Sequence, residues 1–234
     1  EKFIGFTSQS SNFFIIVNEY MKNGNLYDYI RYNKTHQTSI NSVIRYKIIF
    51  GIAFTMKMLH SIHLFHRDLK TSHIFLNENY EPIISLCHTS KFLISENEEQ
   101  TPMIGTPMYI APEVINGGFY DFKADVYSFA IIVLAMFTYK IEFDDGSLLS
   151  AYIMYSKISS GARYKKPSLI PDSYWNLIQD CWKQNANERP SFNDIIKILK
   201  GDEFISGQFK NQSELDDIEK YLNNFENKFC GQIQ

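Results

Sequence analysis

The pattern of apolar and polar residues at the start of the chain predicts two strands. Residues 2–6 form a short, mostly apolar run, and residues 13–17 form an unbroken apolar run typical of a buried strand. The polar residues 7–12 lie between these runs and predict a turn. The chain is therefore expected to open with two strands, the second of them buried.

After these strands the apolar positions recur at helical spacing. Over residues 39–60 they fall four residues apart and mark one face of a helix, with Ser39 or Asn41 as its N-cap. Residues 126–137 are apolar on almost every side, which predicts a helix that is buried all round. The helical stripes are Ile44, Ile48, Ile52 and Met56 in the first helix, and Ile195, Ile196 and Leu199 in a helix at residues 192–199.

Further helices are predicted at residues 152–159 and 174–182, and the character of the chain changes after Gly201. A helix is expected to start near Ser213, because acidic residues in a first turn interact favourably with the helix dipole. One face of that helix carries Leu215, Ile218, Leu222 and Phe225. This tail either packs on the preceding domain or docks a partner, and we favour packing.

Composition narrows the class of protein. The 234 residues are 44% hydrophobic and 21% charged, which is ordinary for a globular protein of one sizeable domain or two small ones. A net charge of −3 argues against a general nucleic-acid binder. The three cysteines, at 87, 181 and 230, show neither metal-site spacing nor a disulfide framework, so we expect a cytoplasmic protein. The most apolar run, residues 129–137, is too short to span a membrane.

Four motifs occur in a fixed order over the central part of the chain. Residues 66–73 read His-Arg-Asp-Leu-Lys-Thr-Ser-His, and residues 105–113 read Gly-Thr-Pro-Met-Tyr-Ile-Ala-Pro-Glu. Residues 125–129 read Asp-Val-Tyr-Ser-Phe, and Cys181-Trp182 is followed by Arg189-Pro190. In sequence and order these motifs resemble those of the eukaryotic protein kinases.

The resemblance implies an α+β, protein-kinase-like fold that is mainly the helical C-lobe, with only the last strands of the N-lobe. Residues 1–20 would be an N-lobe remnant leading to the hinge, residues 21–200 the C-lobe, and residues 201–234 a helical tail. No glycine-rich phosphate loop can be placed before the hinge. Two explanations are open: the chain is a fragment, or the gene product lacks most of the ATP-covering lobe.

The same resemblance assigns roles to the catalytic side chains. Asp68 would orient the substrate hydroxyl and accept its proton, Lys70 would lie beside the transferred phosphate, and Thr106 would contact both. Lys70 and Thr106 resemble serine/threonine kinases, whereas the block at 181–190 is closer to tyrosine kinases. This combination points to the tyrosine-kinase-like group, whose members mostly phosphorylate Ser and Thr.

Supporting roles follow from the resemblance as well. Asp125 would brace the backbone of the catalytic loop, in which His66 is a structural residue, and Glu113 would pair with Arg189. Arg67 often marks kinases that are switched by a phosphate on the activation segment, here residues 86–113. The Ser and Thr residues of this segment could equally be ordinary solvated loop residues.

ATP is the cofactor that the family implies. Backbone groups of Glu19 and Met21 would hold adenine at the hinge, with Asn18 at the gatekeeper position and Phe75 as the floor under the base. The alternative for this stretch is an ordinary strand followed by an Asn-Gly turn.

Two metal-binding positions depart from the family pattern. His73 occupies the position of a magnesium-binding Asn, and Leu86-Cys87-His88 occupies that of Asp-Phe-Gly. Leucine has no oxygen ligand, and imidazole suits transition metals better than magnesium. We therefore expect no Mg²⁺ site, and we regard a new metal site at His66, His73 and His88 as a weaker alternative.

Three hypotheses about function follow. The first is a pseudokinase, a kinase domain that binds protein partners as a signalling scaffold or regulator with little or no phosphoryl transfer. The second is an active or weakly active serine/threonine kinase with protein substrates, and the third is a truncated gene product without a role of its own. The sequence does not identify a partner or a substrate.

Overall fold

The computed structural model describes residues 3–10, 13–86, 90–92, 106–117, 121–139 and 151–230. Two predictions fall outside these ranges. Cys87 and His88, which complete the altered metal motif, are not among the described residues, and neither is the larger part of the activation segment.

Short antiparallel strand pairs form the β structure of the described residues. The first pair is β1 (Phe3–Ser10) and β2 (Phe13–Asn18). Around the site, β3 (Leu64–Phe65) pairs with β6 (Lys91–Phe92), and β4 (Ile74–Leu76) pairs with β5 (Pro82–Ile84). The two strands predicted at the start of the chain are therefore present.

Helices make up most of the rest. They are α1 (Leu26–Thr35), α2 (Ser42–Ser61), α3 (Pro112–Ile115), α4 (Phe122–Thr138), α5 (Ala151–Ser159), α6 (Asp172–Cys181), α7 (Phe192–Lys200), α8 (Asp202–Gln208) and α9 (Gln212–Cys230). Short 3-10 turns lie at Thr71–His73, Pro107–Tyr109 and Ala186–Glu188. Each helix that the apolar pattern predicted is present, whereas the pattern did not predict α1, α3 or α8.

The prediction that the second strand is buried was wrong. Ile15 and Val17 on one face of the β1–β2 pair are each 44% exposed, and Phe6 on the other face is 72% exposed. In the described part of the chain these two strands hydrogen-bond only to each other. An unbroken apolar run is buried only where further layers cover both faces of its sheet.

Helices α2 and α4 form the centre of the core. In α4 every residue from Ala124 to Phe137 is buried, so the prediction of a helix buried all round is confirmed. In α2 the N-cap is Asn41, whose side chain accepts the amides of Val43 and Ile44. The first turn of α4 lies under the loop that follows β3, and the last turn of α2 contacts that turn. The two helices together therefore hold the loop in position.

The tail packs on the domain. In α9 the side chains of Ile218, Tyr221 and Phe225 are buried, and the Tyr221 hydroxyl donates to the carbonyl of Lys47 at 3.0 Å. The ring of Phe225 meets the ring of Phe54 edge-on at 5.1 Å. Within the described ranges, none of the helices combines the length and the apolar character needed to cross a membrane.

Candidate active site

The loop after β3 is fixed from below by the first turn of α4. Asp125 is fully buried, and its two carboxylate oxygens accept the backbone amides of His66 and Arg67, each at 3.0 Å. Arg67 has a φ of +67°, in the left-handed region that residues other than glycine rarely adopt. The two hydrogen bonds compensate for this unfavourable conformation and fix the direction in which the next residue, Asp68, leaves the loop.

A histidine that the sequence did not single out completes the Asp125 site. His60, in the last turn of α2, places Nε2 at 3.0 Å from Asp125 Oδ2. Burial alone would raise the pKa of Asp125, but the hydrogen bond and charge of His60 and the contacts with His66 outweigh it and lower the pKa. Asp125 is therefore ionised at neutral pH although it is fully buried.

His66 connects the loop to the segment that precedes Leu86. Its Nε2 lies 3.1 Å from the carbonyl oxygen of Ser85. A carbonyl only accepts, so Nε2 carries the hydrogen, and Nδ1 is a buried atom that has no hydrogen-bond partner among the described residues. Burial is the main cause that lowers the pKa of His66. The altered metal motif thus begins one residue after an anchored backbone position.

The three residues predicted to be catalytic lie together. Asp68 Oδ2 is 2.7 Å from Lys70 Nζ, and Asp68 Oδ1 accepts both the amide and the hydroxyl of Thr106 at 3.1 Å each. Lys70 also donates to the Thr106 hydroxyl at 2.8 Å. A carboxylate with these charged and neutral donors is held in one orientation. We refer to Asp68, Lys70 and Thr106 as the acceptor cluster.

His73 lies against the same loop. Its Nδ1 is 2.9 Å from the backbone carbonyl of Asp68 and 3.5 Å from Asp68 Oδ2. Because the carbonyl only accepts, Nδ1 carries a hydrogen, and in the neutral ring the lone pair is on Nε2. His73 therefore stabilises the loop through the hydrogen bond that Nδ1 donates. The atom with which it could bind a cation is the nitrogen Nε2.

The segment after the hinge lies along β4. Leu76 donates to the carbonyl of Gly24 at 2.8 Å, and Asn25 pairs with Phe75. Met21 is buried, whereas Glu19 is exposed and Phe75 is half-buried. The backbone thus brings Phe75 next to the segment that follows Met21, and the Asn-Gly turn is present in the same stretch, with Gly24 at a φ of +66°.

An ion pair between buried Arg189 and half-buried Glu113 holds α3, which directly follows the segment at residues 106–111. The two terminal nitrogens of Arg189, Nη1 and Nη2, donate to the carboxylate of Glu113 at 2.7 Å, in a bidentate arrangement. Arg189 also donates to the carbonyl oxygens of Lys123 and Lys183 at 2.9 Å. Its guanidinium lies 5.2 Å from the centre of the Tyr127 ring. The pair predicted from the motifs is therefore one part of a larger set of contacts.

Sequence reasoning missed the residues that align this segment with the loop. The hydroxyls of Tyr109 and Thr71 lie 3.0 Å apart, and the Ser128 hydroxyl donates to the carbonyl of Tyr109 at 2.8 Å. Tyr109 and Ser128 were visible only as members of longer motifs, and nothing in their spacing indicated a shared hydrogen bond. Through them α4 positions Thr106 as well as Asp68.

The residues at the two metal positions do not fit Mg²⁺. The Leu86 side chain contains only carbon and hydrogen and is 52% exposed, and His73 presents an imidazole nitrogen. Magnesium takes oxygen ligands in a strict octahedral arrangement. Among the described residues no group of three or more His, Cys, Asp or Glu side chains could hold a metal ion. The alternative with His66, His73 and His88 remains untested, since His88 is outside the described ranges.

Comparison with known proteins identifies the family. A family model described as protein tyrosine and serine/threonine kinase matches residues 1–199. The chain therefore belongs to the protein kinase family, and a mostly helical structure with few strands agrees with that fold.

The relatives of this chain include serine/threonine kinases of Dictyostelium discoideum. The chain is 34% identical over 182 residues to RGS domain-containing serine/threonine-protein kinase A, covering 78% of this chain and 16% of that protein. It is 30% identical over 199 residues to a LIM domain-containing serine/threonine-protein kinase, covering 85% of this chain and 30% of that protein. The dual specificity protein kinase pyk3 is 31% identical over 190 residues, covering 79% of this chain and 13% of that protein. The chain thus spans between 13% and 30% of the length of these relatives.

Proposed function

We propose that this chain is a pseudokinase of the tyrosine-kinase-like group, which binds protein partners as a signalling scaffold or regulator. The observation that carries the proposal is a contrast within one site. The acceptor cluster is complete and braced by Asp125, whereas the metal positions hold His73 and Leu86. A domain with this site retains the residues that contact a protein segment. It has lost the metal ligands that would neutralise the charge of the phosphates.

The geometry of the acceptor cluster supports binding of a hydroxyl-bearing segment. In the kinase family the residue at the position of Asp68 orients the substrate hydroxyl, and Lys70 lies near the phosphate. Here Asp68 already has donors on both of its oxygens, so it is oriented before any segment binds. Lys70 and Thr106 favour Ser and Thr as the residues that are recognised.

Electrostatics argue against efficient transfer. Phosphoryl transfer depends on cations that neutralise the charge on the β- and γ-phosphates. The loss of a single preorganised stabiliser of a transition state lowers the rate about 10²–10³-fold. Since neither Leu86 nor His73 supplies an oxygen, two such contributions are altered. Adenine binding through Glu19, Met21 and Phe75 would still be compatible with this proposal, because those positions do not depend on the metal.

An active or weakly active serine/threonine kinase is the second candidate. The intact acceptor cluster favours it, because Asp68, Lys70 and Thr106 are the residues that contact the hydroxyl during the reaction. Both candidates act on proteins, and we place both in the cytoplasm, where the buried free thiol of Cys181 would remain reduced.

A kinase assay separates the two candidates. The chain and Asp68→Asn would be incubated with labelled ATP, Mg²⁺ or Mn²⁺ and a mixture of Ser- and Thr-containing peptides, with exposed Asp217→Asn as the control substitution. We expect no incorporation of phosphate that depends on Asp68. Incorporation that is abolished by Asp68→Asn and retained by Asp217→Asn would overturn the pseudokinase proposal, provided that both variants melt like the parent chain.

A further inference from the structure

A cavity of about 350 Å³ opens beside the acceptor cluster. Helix α1 forms one wall, α4 forms another, and the 3-10 turn Pro107–Tyr109 lies between them. The apolar and aromatic side chains that line this cavity are Tyr27, Ile30, Met108, Tyr109, Ala135 and Tyr139. The size is within the range of pockets that bind small ligands or side chains.

The cavity is continuous with the acceptor cluster. Lys70 and Thr106 are among its lining residues, and both contact the carboxylate of Asp68 directly. An extended chain advances about 3.3–3.6 Å per residue. A segment whose hydroxyl lies at Asp68 would therefore place the side chain of a residue about one to three positions away in the cavity.

The walls are held in place before any ligand binds. The hydroxyl of Tyr139 accepts the backbone amide of Ile40 at 2.9 Å, and Tyr109 is fixed by its hydrogen bond with Thr71. Ile30 and Ala135 are buried in their helices. A preformed cavity lowers the entropy loss on binding, because few side chains have to be ordered.

The charge of the lining restricts what the cavity can accept. Among the described residues that line it, Lys70 is the only charged one, and it is already paired with Asp68. An Arg, Lys, Asp or Glu side chain of a ligand would lose water there without gaining an opposite charge. A bulky apolar side chain, in contrast, gains free energy when it is buried there.

We propose that this cavity selects a large apolar side chain of an extended protein segment whose Ser or Thr lies at Asp68. This inference deepens the proposed function, since it rests on the acceptor cluster as a protein-binding site. It does not depend on phosphoryl transfer, because the contacts that it uses come from the side chains that line the cavity and form the cluster.

Binding of designed peptides tests the inference. The probes are fluorescent peptides with a central Ser in an Ala background, in which each neighbouring position in turn carries Leu, Phe, Arg or Asp. Fluorescence polarisation is measured with the full chain, without nucleotide or metal. We expect Leu or Phe at one particular position to strengthen binding about 10-fold or more over Arg or Asp there, as the burial free energy implies. A preference for charged residues, or binding that is the same at every position, would overturn the proposal.

Two tyrosines of α1 provide a matched pair of variants. Tyr27 lines the cavity and is 51% exposed, whereas Tyr32 is 59% exposed and is not among the residues that line it. Tyr27→Glu should abolish the apolar preference and improve binding of the Arg peptide, because it adds a carboxylate at the rim. Tyr32→Glu should leave both unchanged. An equal effect of the two substitutions, in proteins with unchanged melting temperatures, would contradict the assignment.

The peptide-binding test and the kinase assay can fail independently of each other. Asp68-dependent phosphate incorporation would overturn the pseudokinase proposal and leave the apolar selection intact. Absence of binding by every peptide up to millimolar concentration would overturn the selection and leave the metal deficiency intact. Competition between the peptides and a second copy of the chain, seen as weaker binding at higher chain concentration, would also count against a peptide as the natural occupant.

Discussion

His66 places a titratable ring inside the domain, where Nε2–H donates to the carbonyl of Ser85 and Nδ1 meets no partner in the part of the chain that the structure describes. Burial lowers the pKa of this ring below the ordinary value of 6.5. Asp125, on the other side of the loop backbone, has a pKa below its ordinary value of 3.8, because the contacts with His60 and His66 outweigh the effect of burial. Both groups therefore favour the folded state when they are deprotonated.

The pH dependence of stability follows from these two shifts. As the pH falls below 6.5, the unfolded chain binds a proton at His66 that the folded chain does not, so the free energy of unfolding decreases. A second decrease begins below 3.8, where Asp125 is protonated first in the unfolded chain. His66→Phe should remove the first decrease and keep the second. Urea unfolding of the parent chain and of His66→Phe, at pH values above and below 6.5, measures the free energy of unfolding. An identical decrease with falling pH in the two proteins would contradict the prediction.

The Arg189–Glu113 pair gives a second prediction for single residues. The Arg189 side chain is fully buried, so Glu113→Ala leaves a buried charge without its counter-ion. We expect a loss of about 3 kcal/mol in the free energy of unfolding, the lower end for a broken buried pair, because Arg189 keeps its contacts with two carbonyls.

The control for that prediction is an exposed ion pair of similar length. Asp180 and Lys183 lie 2.8 Å apart on the surface, and both side chains are more than 40% exposed. Asp180→Ala should change the free energy of unfolding by less than about 1 kcal/mol. Chemical denaturation of the two variants beside the parent chain gives both values. Equal losses in the two variants would show that burial does not determine the strength of the Arg189 pair.

At the scale of the elements, helix α2 packs closely against β5 and α9. A Cβ atom added to Gly51 in α2 would lie 2.5 Å from Pro82 Cγ and 3.1 Å from the Tyr221 hydroxyl. Gly51→Ala should therefore destabilise the domain by about 1–3 kcal/mol through overpacking, although alanine is the better helix former.

Gly207 in α8 is the matched position for this test, because a Cβ atom there would meet nothing within 4 Å. Gly207→Ala should stabilise the chain by about 0.5–1 kcal/mol. Thermal and urea unfolding of both variants measures whether each substitution raises or lowers the free energy of unfolding. Stabilisation by both substitutions would contradict the close packing of α2 against β5.

Element prediction from sequence was accurate where the apolar pattern had a clear period. The stripe at residues 39–60 gave α2, and Asn41 was one of the two caps expected for it. The apolar run at residues 13–17 correctly predicted a strand, but it wrongly predicted that the strand is buried. The exposure of a strand depends on which elements cover its sheet, and the local sequence does not contain that information. The apolar pattern did not give α1, in which only Leu26, Ile30 and Asn33 are buried. It missed α3 and α8 because four and seven residues are too few to establish a helical period.

At the scale of the whole molecule, the motifs identified residues that the fold brings together from distant positions. Asp68 and Thr106 are 38 residues apart in sequence, and Glu113 and Arg189 are 76 apart. The resemblance named all four of these residues. It did not name His60, Tyr139 or the apolar cavity, because those contacts arise from helix packing and have no fixed spacing in the sequence. What the altered metal positions do to activity stays a prediction.

The most direct test of that prediction is a thermal-shift titration with ATP, with and without Mg²⁺. The chain would be compared with the double variant Leu86→Asp, His73→Asn and with Leu169→Asp, which adds a carboxylate at a leucine that is 77% exposed. A ligand that binds only the folded state stabilises it by about 2.7 kcal/mol at 100 times its Kd. We predict that Mg²⁺ adds stabilisation by ATP only in the double variant. Stabilisation that requires Mg²⁺ in the unmodified chain would contradict the account and favour an active kinase.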